Sequence, residues 1–77
     1  MPTIPSEVRA VVQAIDLDKL ILVDHIYAEI KNSGFAPQVR HEYVMRALRA
    51  VCIAPPAYLQ ATFDYLEKGK TLQAVKL

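Results

Sequence analysis

Seven positions divide this chain before any other feature needs weighing: Pro2, Pro5, Gly34, Pro37, Pro55, Pro56 and Gly69. Proline is tolerated only in the first turn of a helix, and glycine readily takes the left-handed conformation that ends one. The intervals between them are helix-sized, and within each the apolar residues recur at spacings of three and four, the helical period. The pattern predicts an all-α fold: a compact bundle of four helices forming a single domain over residues 1–77. For the C-terminal tail two readings stay open, a short fifth helix or a loose end.

Helix one is expected over roughly Glu7–Ile15, capped by Ser6, with Val8, Val11, Val12 and Ile15 as one stripe. Asp16 or Asp18 caps a second helix that begins at Leu17 or Lys19 and runs to Lys31, where Asn32-Ser33-Gly34 stops it. Leu20, Val23, Ile26, Tyr27 and Ile30 form its stripe, and Ile21, Leu22 and Ala28 widen it. A helix apolar around so much of its circumference is expected to be central and buried on several sides. Helix three starts at Pro37 and runs to about Cys52, with Val39, Tyr43, Val44, Ala47, Leu48 and Val51 inward and Arg40, Glu42, Arg46 and Arg49 elsewhere. Helix four spans roughly Pro56–Lys68 with the stripe Leu59, Phe63 and Leu66, beside a second line made by Tyr58 and Tyr65. In the tail, Thr71 offers a cap and Leu72, Val75 and Leu77 offer apolar docking.

Size makes composition matter here. A domain of about 75 residues buries only roughly 60 per cent of the surface its unfolded chain exposes, yet 53 per cent of these residues are hydrophobic. Apolar surface should remain, and contiguous leftover surface marks a partner or oligomer interface. The greasiest short run, Leu20–Val23, is broken by Asp24, far short of the roughly 20 residues that span a membrane. No basic region or apolar signal core marks residues 1–5, and Cys52 has no second cysteine to pair with. A cytoplasmic protein without membrane association is therefore expected, with Cys52 as a small buried hydrophobe. Net charge is +1, but residues 1–36 carry three basic and five acidic side chains and residues 37–77 carry six and three. An asymmetry of about −2 against +3 could bring two copies together head to tail; it is too small for a nucleic-acid footprint.

Catalysis needs convergent polar groups, and the inventory does not supply them. Ser6 and Ser33 are accounted for by helix ends, and two isolated glycines build no phosphate-binding loop. His25 and His41 lie on different helices and are read as lacking the paired spacing of a metal face. Adjacent helical residues diverge by about 100 degrees, so Asp24 and His25 form no dyad. No enzyme activity, cofactor or metal is expected.

Two resemblances bear on function. Helices two and three, joined through Ser33-Gly34-Phe35-Ala36, resemble a helix-turn-helix in which Gln38, Arg40, His41 and Arg46 would contact nucleic acid from helix 37–52. Against it, Glu29 stands where that motif is usually apolar, and Arg40 stands where its recognition helix is buried. Ser33-Gly34-Phe35, Ala47-Leu48-Arg49-Ala50 and the stretch from Ala61 to Tyr65-Leu66 resemble ubiquitin-associated domains, over about residues 20–68. The chain lacks the methionine before the glycine and spaces Phe35 from Ala47 about one turn too far. That resemblance implies three-helix packing more than a ubiquitin-binding surface.

The expectation is a small non-enzymatic regulator or adaptor that binds a larger protein, self-associates, or both. Its partner-binding residues are expected to be Tyr58, Tyr65, Arg40, Arg46, Arg49, Leu72 and Val75, because tyrosine and arginine are enriched at binding hot spots. DNA binding through Gln38, Arg40, His41 and Arg46 is the alternative.

Overall fold

A computed structural model describes residues 3–77 as five helices: α1 (Ser6–Gln13), α2 (Leu17–Asn32), α3 (Pro37–Val51), α4 (Pro56–Glu67) and α5 (Leu72–Lys76). The all-α reading holds, and the tail does form the short fifth helix. Pro37 and Pro56 each open a helix at its first position, where a missing N–H costs nothing. Gly34 and Gly69 take φ of +76° and +82° after α2 and α4, the left-handed geometry that lets the chain reverse out of a helix.

Capping departs from expectation at both ends of the chain. Ser6 lies inside the first turn of α1, with Pro5 at the cap position, and its hydroxyl donates to Glu7 Oε1 at 2.9 Å. Thr71 does occupy the cap position of α5 but makes no capping bond. That work falls to Asp24, 48 residues away: its two carboxylate oxygens accept the backbone N–H groups of Leu72 at 2.8 Å and Gln73 at 3.0 Å. A buried carboxylate thus satisfies two donors that a helix start leaves orphaned, and it complements the positive end of the helix dipole.

The main helix contacts run in a closed cycle: α1 on α4, α4 on α3, α3 on α2, α2 on α5, and α5 back on α1. Inside the cycle sit Val8, Val11, Val12, Ile15, Leu20, Val23, Val44, Leu48, Leu59, Phe63, Leu66 and Leu72. The radius of gyration is 11.3 Å, against about 11.5 Å for a compact chain of this length.

Helix α2 is not wrapped on several sides. Leu20, Val23, Asp24, Tyr27 and Ile30 face inward, while Ile21 and Leu22 are 44 and 48 per cent exposed. The reason is the neighbour count: only α3 and α5 pack heavily on α2, and α5 is five residues long. On α3 the inward face is Val44, Met45 and Leu48, and Tyr43, which the sequence stripe puts inward, points out about one position away from that face.

Candidate docking site

Where α3 meets α4 the backbone cannot stay helical. Pro55 pushes Ala54 out of the α region, and Cys52 is already extended, with φ −153° and ψ 157°. Successive side chains of an extended segment point to opposite sides. Cys52 and Ala54 are accordingly half-buried against the core, and Ile53 between them projects wholly into solvent at 103 per cent exposure.

A groove of about 270 Å³ opens beside this linker, lined by Met45, Arg49, Cys52, Ile53, Ala54, Pro56 and Leu59. Its walls are aliphatic or sulfur-bearing apart from Arg49, an exposed guanidinium that makes no ion pair among the described residues. One turn earlier, Arg46 lies 3.4 Å from Glu42 and its guanidinium stands 5.8 Å from the centre of the Tyr43 ring. Burial pushes the Cys52 thiol above its ordinary pKa, so at neutral pH the sulfur is a protonated, apolar wall and not a nucleophile.

The structure disperses the residues expected to form one docking face. Tyr65 and Leu72 are corrected to core positions, 9 and 0 per cent exposed; α5 folds back over the domain and takes Leu72 inside. Val75 packs half-buried against the same core. Arg40 is corrected to a half-buried tie: it donates to Glu67 Oε1 at 3.0 Å and to the Phe35 carbonyl at 3.2 Å. The Tyr27 hydroxyl donates to the other oxygen of Glu67. These two donors hold the Glu67 carboxyl below its usual range, while burial, then the bond to Glu67, pushes the Tyr27 phenol up to about 12. Tyr58 is 37 per cent exposed but does not line the groove; of the expected set only Arg49 does.

The helix-turn-helix residues are similarly divided. Arg40 is engaged as above, and His41 is half-buried, 2.7 Å from Gln60 Oε1 and edge-on to Phe63 with ring centres 4.9 Å apart. Gln38 and Arg46 remain exposed. His25 does share a face with a carboxylate, Glu29 at 3.8 Å, contrary to the reading that none lay at that spacing. No third donor joins them, and among the described residues no group of three or more His, Cys, Asp or Glu could hold a metal ion. Nor is any described helix long and apolar enough to cross a membrane.

Sequence reasoning missed Met45, Cys52, Ala54, Pro56 and Leu59 as groove residues and leaves Ile53 only as apolar surface that no helix stripe accounts for. The signal was present: Ala50 to Phe63 contains no charged residue, an uncharged run that two prolines forbid from being one continuous buried helix.

No family model matches the chain, and no curated protein or solved structure matches it either. The likeness to ubiquitin-associated domains finds no support there.

Proposed function

We propose that this protein is a small non-enzymatic regulator or adaptor whose docking site is the α3–α4 groove. The carrying observation is Ile53, a large aliphatic side chain held entirely in solvent beside an apolar groove. Scattered exposed apolar residues are ordinary on any protein, whereas one that adjoins an apolar concavity is the anatomy of an interface. Arg49 at the lip supplies the polar rim that fixes orientation. At about 270 Å³ the groove lies just below the size range of small-molecule sites. It suits one or two aliphatic side chains presented by another protein, in the helix-in-groove manner.

The test is site-specific photo-crosslinking in the expressing cell, with the reactive side chain placed at position 53 and, as control, at the exposed position of Ala10 on α1. Protein adducts from position 53 well above those from position 10 are expected. Equal yields at the two positions, or none at either, would defeat the reading.

A further inference from the structure

A second surface on this chain answers the groove in apolar character and in charge. On the outer side of α2, Ile21 and Leu22 are the only large apolar side chains of that helix that stand strongly exposed. At 100 degrees per residue, Asp18, Leu22, His25 and Glu29 lie along one line with Ile21 at its edge. An aliphatic pair is thus bracketed by two carboxylates, Asp18 and Glu29, on the acidic half of the sequence. The groove is the inverse: aliphatic and sulfur-bearing walls with a guanidinium, Arg49, that makes no ion pair among the described residues, on the basic half. The two surfaces share no residue.

We infer that the occupant of the α3–α4 groove is a second copy of this chain, which inserts Ile21 and Leu22 of α2 and sets Asp18 or Glu29 against Arg49. This rests on the docking reading above. Because the groove of one copy meets a different face of the next, the contact is heterologous and each added copy leaves a groove at one end and an α2 face at the other. Such contacts build rings when the rotation closes and open chains when it does not. The contact patches are small beside the roughly 800 Å² per partner of a standard stable interface, so association in the micromolar-to-millimolar range is expected. Charge complementarity contributes orientation and exclusion of wrong pairings more than affinity.

Sedimentation equilibrium of four samples tests this: the wild type, Ile53→Asp (groove disabled), Leu22→Asp (α2 face disabled), and an equimolar mixture of the two variants. Both substituted side chains are exposed, and circular dichroism checks that each variant keeps the wild-type helix content and melting temperature. The wild type is expected to grow in mass with concentration. Each variant alone should stay monomeric, weakened by about thirtyfold or more as for loss of a hot-spot side chain. The mixture, holding one intact groove and one intact α2 face, should form a species of twice the monomer mass and nothing larger. A wild type that stays monomeric, a variant that still associates alone, or a mixture that stays monomeric overturns the inference. If position 53 nevertheless crosslinks to a different protein, the groove remains a docking site and only the second-copy occupant is lost; absence of both removes the two readings together.

Discussion

Asp24 shows how a single polar residue inside an apolar stripe acquires its meaning from a distant segment. It stands on α2 among Leu20, Val23 and Tyr27, all buried, and burying a carboxylate is costly unless hydrogen bonds satisfy it. The two N–H groups of Leu72 and Gln73 do so. Asp24→Ala should cost about 1–3 kcal/mol, the range for a lost cap and newly orphaned buried donors, while Asp24→Asn, which keeps one acceptor oxygen, should cost less. Chemical unfolding measures both, and native-state hydrogen exchange should show the Leu72 and Gln73 amides losing protection first in the alanine variant. Equal protection in the two variants would argue that packing of Leu72, not the cap, holds α5. The sequence marks Asp24 as anomalous, a carboxylate sharing a stripe with Leu20 and Tyr27. Its partner was illegible because no local pattern reports a contact across 48 residues.

At the scale of helices, Glu67 is the joint. Tyr27 from α2 and Arg40 from α3 converge on its carboxylate at the end of α4, so one side chain fixes the relative setting of three helices. Tyr27→Phe removes one donor and should lower stability by about 1 kcal/mol at neutral pH. The pH dependence has a definite sign. Tyr27 titrates at about 12 in the folded chain against an ordinary value near 10; its neutral form is the one the fold favours, so its contribution is complete below about pH 10 and fades as pH rises through the folded value. Glu67, held low, contributes above the usual carboxylate range and loses that contribution as pH falls through its depressed value. Urea unfolding at pH 7 and pH 11 should therefore show the gap between wild type and Tyr27→Phe narrowing at the higher pH; a constant gap would mean that the phenol is not held neutral by the fold. Helix positions were legible because proline, glycine and periodicity act within a few residues. From the sequence Arg40 reads as an outer-face residue because a charged side chain on a helix is usually solvated; its half-buried tie to Glu67 depends on where α4 lands, which no local pattern contains.

For the molecule as a whole, the hydrophobic excess resolves into a core and a remainder. Tyr65, Leu72 and Val75 join the core, and among the described residues the large exposed remainder is Ile21, Leu22, Phe35, Tyr43, Ile53, Tyr58 and Leu77. A domain this small has little stability in reserve. Leu72→Ala removes a fully buried side chain and should cost about 2–5 kcal/mol, enough to leave a substantial unfolded population in a thermal scan followed by circular dichroism. A shift in melting temperature of only a degree or two would show that α5 is an appendage and not part of the cooperative unit. The closed cycle of helix contacts carries a consequence for how the chain is made. Its closing member, α5, is the last of the five to be synthesised, and both of its neighbours, α1 and α2, are the first. Until α5 has emerged, the faces of α1 and α2 that it packs on and the carboxylate of Asp24 wait without the segment that covers and satisfies them, so the nascent chain is adhesive there for as long as α5 is missing.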